Sequence, residues 1–271
     1  MNPEKKRRTV KTTAQKIYIG LIFLFLYAPI LTLIMLSFNA SRTRAKWDGF
    51  SLKWYAALFD NREIMQALWN TLLIAFTASL AAVIIGTAAC IAVNRMGRKK
   101  RAVIMGITNI PMLDADIVTG ISLMLLFISF GFKFGLGTIL LSHITFCIPY
   151  VMLCVMPRIR QADASVYEAA MDLGASPLRA FFKVVFPDIL PGVLSGYLMA
   201  FTMSLDDFII THFTKGAGVD TLSTKIYTEV KKGIKPEMYA LSTIIFVTVL
   251  LLLFLVNRTP KQRAPHSAGN P

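Results

Sequence analysis

The sequence is poor in charge. Asp, Glu, Lys and Arg make up 16% of its 271 residues, against 55% hydrophobic residues. That is too little charge to coat a soluble globule of this length, and the mean hydropathy is +0.58. Acid is scarcer than base: 15 Asp and Glu stand against 29 Lys and Arg, a formal net charge of +14. In a soluble protein that excess would suggest nucleic acid. Here the basic clusters flank apolar runs, so loops at a membrane surface are the simpler reading, with lipid and not nucleic acid as the partner. The three cysteines, Cys90, Cys147 and Cys154, lie inside apolar runs, with no CxxC pair and no histidine at ligand spacing. They read as packed, reduced thiols, and no metal is expected. There is no GxxxxGK[ST] phosphate loop; the glycines around Gly131, Gly135 and Gly137 lack its ending. No nucleophile–base set appears either, so an enzyme is not expected.

What the chain does have is long apolar runs. A spanning helix needs roughly 20 mostly apolar residues. Six stretches qualify, at about 17–38, 68–93, 102–130, 135–156, 191–212 and 239–257. The first follows a basic segment, but it is longer than a signal-peptide core and reads as a retained anchor. The organisation expected is a tail over 1–16, a six-helix transmembrane domain over 17–257 and a polar, proline-rich tail over 258–271. Basic residues set the orientation. Lys5, Lys6, Arg7 and Arg8 precede the first run, and Arg95, Arg98, Lys99, Lys100 and Arg101 lie between the second and third. Arg158, Arg160, Arg179 and Lys183 follow the fourth, and Arg258, Lys261 and Arg263 follow the sixth. Both termini are therefore expected in the cytoplasm, with 157–190 inside and 39–67 and 213–238 outside.

Residues 163–191 read as two short helices and a tight turn. The first passes through Tyr167 to Leu173 and stops at Gly174, which suits a left-handed helix end. Ser176 is a good N-cap and Pro177 a good first helical residue. The second helix is expected to stop near Pro187 and the next span to start at Pro191. Glu168-Ala169-Ala170, three residues, Gly174, nine residues and Val184-Val185-Phe186-Pro187 resembles the EAA loop of ABC importer permeases. Val184 and Phe186 depart from the isoleucine and leucine of that pattern, both as apolar exchanges. The strings Ser142–Cys147, Ser204-Leu205-Asp206-Asp207, Lys225-Ile226-Tyr227 and Gly233–Glu237 resemble the spermidine/putrescine branch of the family. The resemblance implies an all-α, type I ABC importer permease fold in a bacterial inner membrane. It also implies a second permease chain, two ATPase subunits docking on Glu168, Ala169, Ala170 and Gly174, and an extracytoplasmic polyamine-binding protein. ATP and Mg would sit on the ATPase chains, with no cofactor on this one.

Carboxylates inside apolar runs are costly when ionised and facing lipid, so they normally face protein or a wet path. Asp114 and Asp116 fall in the third run, just after Pro111, where a kink or break is expected. Asp206 and Asp207 fall in the fifth. With straight helices, Asp116 and Asp206 would both lie about 21 Å above the inner boundary. One reading is a path in which acids replace water around the ammonium groups of a polyamine; the other is that the acids mark helix ends or pair with loop lysines. The resemblance favours the path and adds Ser204 and Trp54 to it, Trp54 through the string Lys53-Trp54-Tyr55. An aromatic belt is the alternative for Trp47, Trp54 and Tyr55. A permease for another solute, such as an amino acid or metal ion, is the rival function.

Overall fold

The computed structural model describes residues 3–43 and 45–258. Among them every regular element is helical, and the only bridge joins Asn39 to Phe50. Helix α1 (Pro3–Ser37) already includes most of the expected N-terminal tail, and the tail expected after Arg258 lies outside the described residues. The helices then run α2 (Lys53–Asp60), α3 (Arg62–Asn94), α4 (Arg98–Leu113), α5 (Asp116–Ser129), α6 (Leu136–Gln161), α7 (Ala164–Asp172), α8 (Pro177–Ala180), α9 (Phe186–Asp206), α10 (Ile209–Thr214), α11 (Leu222–Lys232) and α12 (Pro236–Arg258). Four stretches are long and apolar enough to cross a membrane: Gln15–Ser37, Arg62–Asn94, Leu136–Gln161 and Pro177–Asp206. The pair α4 and α5 makes a fifth if taken as one broken span, bent by 104°. The sixth expected run coincides with α12, a helix of 23 residues.

The chain divides into two compact units, Met1–Arg62 with Glu229–Pro271, and Glu63–Thr228. In the first, α12 packs on α1 and α2. Its loop is organised by Asn39, whose amide nitrogen donates to the Lys46 carbonyl at 2.8 Å, while its oxygen accepts from the amides of Ser41 and Asp48. Phe38 stacks on Phe50 at 5.0 Å between ring centres, and Tyr55 shares a hydrogen bond with Ser37 at 2.8 Å.

The second unit is built on α6 lying along α9. Lipid tails are as apolar as leucine, so helices in a bilayer gain from close packing at small residues more than from water exclusion. Val151 of α6 shows how. A Cβ added at Gly86 of α3 would meet Val151 Cγ1 at 2.8 Å, and one added at Gly196 of α9 would meet it at 3.3 Å. One β-branched side chain is thus held by two glycines. The surrounding core is Ala82, Cys90, Phe146, Cys147, Val155, Ile189 and Ala200. The thiols are all free, as the apolar surroundings imply, and Cys147 donates to the Ala200 carbonyl at 3.5 Å.

Three expectations need correction. The third run is not a straight helix, so counting rise per residue across it does not give depth: α4 ends at Leu113 just after Pro111, and α5 leaves in another direction. The fifth run does not extend to residue 212, because α9 ends at Asp206 and α10 is separate. Nor does the hairpin's second helix stop at Pro187. It continues through a π-helical turn, Phe181–Val185, straight into α9. A proline ring clashes with the carbonyl four residues back, here that of Lys183, and a wider π turn at that point accommodates it.

Gly86→Val and Gly196→Val should each destabilise the purified protein by about 1–3 kcal/mol through overpacking against Val151. Gly20→Val, with nothing within 4 Å of the added Cβ, should not. Thermal denaturation in one detergent measures all three, and equal melting temperatures would refute this account of the packing.

Candidate functional site

Both acid pairs sit where a helix is interrupted. Asp114 caps the end of α4 in an extended conformation (φ −82°, ψ 156°), and Asp116 opens α5. Asp206 is the last residue of α9, and Asp207 is again extended (φ −60°, ψ 129°) before α10 begins. Irregular backbone of this kind within a bilayer is tolerated where it lines a cavity or is buried in protein. A carboxylate at the start of α5 also faces the positive end of that helix dipole. The two breaks are brought together by α10 packing on α5. Gly120 makes this possible, since its missing Cβ would stand 3.1 Å from the Phe213 ring and 3.5 Å from the Ile210 Cα. Packing of α10 on α5 thus draws the start of α5, with Asp116, toward the end of α9, with Asp206. Asp114, Asp116 and Asp206 are all exposed.

Asp207 points the other way. Its side chain is 8% exposed, and Oδ2 accepts from the Thr211 amide and the Thr211 hydroxyl, each at 2.8 Å. Oδ1 accepts from the Ile210 amide at 3.3 Å. The carboxylate thereby satisfies donors at the start of α10 that have no partner within the helix. Thr211 Oγ1 also lies 2.9 Å from His143 Nε2. Because the threonine proton is committed to Asp207, Nε2 is the donor in that contact. Nδ1 of the same ring lies 2.6 Å from Ser204 Oγ. His143, Ser204 and Thr211 are 1%, 3% and 0% exposed. Ser204, expected on the substrate path, is buried in this network beside His143. His143 reads from the sequence as an isolated histidine. What could have signalled it is the four-residue step from Asp207 to Thr211 together with the polar Ser204 inside an apolar run.

Trp54 belongs to the first unit. Its ring is 7% exposed, its indole N–H donates to the Asn39 carbonyl at 2.7 Å, and Lys53 covers its face at 4.5 Å. An entering cation would find that face already taken.

The hairpin's turn has the expected geometry. Asp163 caps α7 by accepting from the Ser165 amide at 2.9 Å. That bond, with a second from the Ser165 hydroxyl, holds the Asp163 carboxyl below its ordinary range. At the far end Gly174 has φ +83°, the Ala175 amide reaches the Ala170 carbonyl at 3.1 Å, and the Gly174 amide reaches that of Met171 at 2.9 Å. This is the double-bonded glycine cap that ends many helices. Ser176 then caps α8, accepting from the Arg179 amide at 3.4 Å. Glu168, Ala169 and Gly174 are exposed, and Ala170 is half-buried. Leu173 and Leu178 are 89% and 72% exposed, an apolar surface on a polar loop. A groove of about 580 Å³ runs beneath, lined among others by Asn94, Arg95, Asp163, Tyr167 and Glu168. No group of three or more metal-ligating side chains occurs among the described residues.

Thr211→Val keeps the shape of the side chain but removes the hydroxyl between Asp207 and His143. Leaving buried polar groups short of a partner costs about 1–3 kcal/mol. The variant should therefore melt below the wild type, and His143→Phe lower still, in thermal unfolding of purified protein. Wild-type stability in both would mean that the network does not hold the α9–α10 break.

The description "binding-protein-dependent transport system inner membrane component" matches residues 78–259. The chain is 39% identical over 252 residues to the putrescine transport system permease protein PotI of Escherichia coli (strain K12), covering 89% of this chain and 90% of the relative. It is 35% identical to the spermidine/putrescine transport system permease protein PotC of the same strain, covering 92% and 94%. Among solved structures, a chain of a bacterial ABC transporter involved in import of the acidic polysaccharide alginate superimposes with a TM-score of 0.74 at 15% identity, covering 96% of this chain and 98% of that one. At that identity the likeness concerns the fold alone. The chain belongs to the inner-membrane permease components of binding-protein-dependent ABC transport systems.

Proposed function

We propose that this chain is a polyamine-translocating permease subunit, with six membrane spans and both termini in the cytoplasm. The sixth span in this reading is α12. The observation that carries the substrate class is that Asp116 and Asp206, both exposed, stand at the two helix breaks that the packing of α10 on α5 draws toward each other. Putrescine and spermidine carry separated ammonium groups, and two exposed carboxylates held near each other suit them better than one would. An anionic solute would be repelled at the same point. The names of the relatives, which transport putrescine and spermidine, support the same class. Asp114, exposed at the end of α4, adds charge near the entrance to that point. Asp207 serves it indirectly, by holding the break from which Asp206 projects.

Transport itself needs partners. In this reading a second permease chain completes the cavity, two ATPase subunits bind inside, and a soluble polyamine receptor docks outside. ATP and Mg reside on the ATPases. Glu168, Ala169, Ala170 and Gly174 present the docking surface, supported by the exposure of Leu173 and Leu178 beside them. Because the hairpin's second helix continues into α9 without a stop, a push on α8 would be felt along α9 as far as Asp206. Alternating access follows if that push tilts α9 and shifts the break.

Asp116→Asn and Asp206→Asn keep size and remove charge. Each should lower polyamine uptake at least about tenfold, the equivalent of one charge interaction of about 1.4 kcal/mol, while complex yield and receptor binding stay normal. Full uptake by both variants would refute the cation path and leave the family assignment untouched.

Gly174→Pro denies the left-handed turn and removes an amide donor. It should insert normally yet lose co-purification with the ATPase. Unchanged recovery of the ATPase, with unchanged transport-coupled hydrolysis, would count against docking at the hairpin.

A further inference from the structure

Two neighbouring cavities between α4 and α6 are used by nothing described above. One, of about 390 Å³, is lined by Arg98, Arg101, Ala102 and Arg160. The other, of about 360 Å³, is lined by Met105, Leu153, Met156, Pro157, Arg160 and Gln161. Arg160 belongs to both. One face of the pair is therefore strongly basic, the other mostly apolar, and a single guanidinium stands at the join.

Three arginines from two helices around one small space concentrate positive charge that favours an anion among them. None of the three takes part in an ion pair found among the described residues, and the Arg101 guanidinium donates to the Asn94 side chain at 2.9 Å. Arginine suits phosphate in particular, because its planar fork presents paired donors to two oxygens. The apolar half asks for something further. Helix α4 buries none of its residues, and Val103, Ile107, Ile110 and Leu113 are 60%, 61%, 56% and 87% exposed. Those four residues form an exposed apolar strip on α4, while Ile104 and Met105 on another side pack toward the core and α6. A free phosphate would fill the first cavity and leave the second empty. A lipid fills both.

We infer that Arg98, Arg101 and Arg160 form a binding site for the phosphate of an anionic phospholipid, whose acyl chain lies against Met105, Leu153 and Met156. Basic groups at the inner end of a membrane helix draw anionic lipid from the surrounding leaflet. Bound there, the lipid joins the start of α4 to the end of α6. That end leads directly into the hairpin, since α7 begins three residues after Gln161. The occupied site would hold steady the platform from which the hairpin projects.

The test is native mass spectrometry of the intact transporter taken from nanodiscs of phosphatidylglycerol and phosphatidylcholine in equal amounts. Wild type should retain phosphatidylglycerol. Arg98→Gln with Arg160→Gln should lower that retention by roughly tenfold. Lys99→Gln with Lys100→Gln removes the same charge from residues that line neither cavity and should leave retention unchanged. Leu153→Asn, single and on the apolar side, should also lower retention, and provides an independent reading if the double arginine variant assembles poorly. Equal loss in the arginine and lysine pairs would reduce the site to diffuse surface charge and overturn the proposal. So would displacement of the lipid by inorganic phosphate at a concentration equal to that of phosphatidylglycerol, or full retention by Leu153→Asn.

Discussion

Asp207 is the residue on which the second compact unit turns. A carboxylate buried at membrane depth is tolerable only with its lone pairs satisfied, and here they are satisfied by the Ile210 and Thr211 amides, which the start of α10 leaves without partners, and by the Thr211 hydroxyl. The acid needs the break, and the break needs the acid. His143 and Ser204 extend the arrangement to α6, so that three helices meet on one hydrogen-bonded cluster. Such clusters specify one arrangement because any slip would leave several buried polar atoms unpaired at once.

The exposed acids follow from that constraint. With α10 held at a fixed angle to α9, it lies across α5 at Gly120, and the start of α5 is brought beside the end of α9. Asp116 and Asp206 then share a neighbourhood although they stand in different runs of the sequence. Adjacent residues in the chain divide the work: Asp206 faces outward, where a cation could meet it, while Asp207 faces inward and holds the backbone. An extended residue between two helices gives neighbouring side chains different directions, which a continuous helix would fix at about 100°.

At the other end of α9 the same concern with unbroken connection appears. Pro187 would ordinarily interrupt a helix, yet the π turn at Phe181–Val185 carries the chain past it, and Pro191 is carried inside α9 itself. The docking surface at α7 and α8 is thus continuous with the helix that ends at Asp206. Membrane helices keep their backbone bonds internal because lipid offers no alternative, and a π turn adjusts direction while keeping them. The basic and apolar cavities lie between α4 and α6, the helix along which α9 packs.

Much of this was legible in the sequence because it depends on local chemistry. Long apolar runs imply spans whatever they pack against, and Gly174, Ser176 and Pro177 predict the hairpin turn because each is favoured by backbone geometry alone. The acids announce themselves by their cost in lipid, and Pro111 announces the interruption near Asp114. Only the tertiary structure decided which acid faces which way. Asp206 and Asp207 are chemically identical, and their difference comes from Thr211 and His143, one a turn away and one on another helix. For the same reason Ser204 and Trp54, polar or aromatic and plausible on a path, proved to be buried and already bonded. Depth by residue count failed because α4 and α5 meet at 104°: Pro111 signals an interruption, but the size and direction of the bend depend on packing. A sequence states what each residue can do; which partner is within 3 Å depends on how distant helices pack.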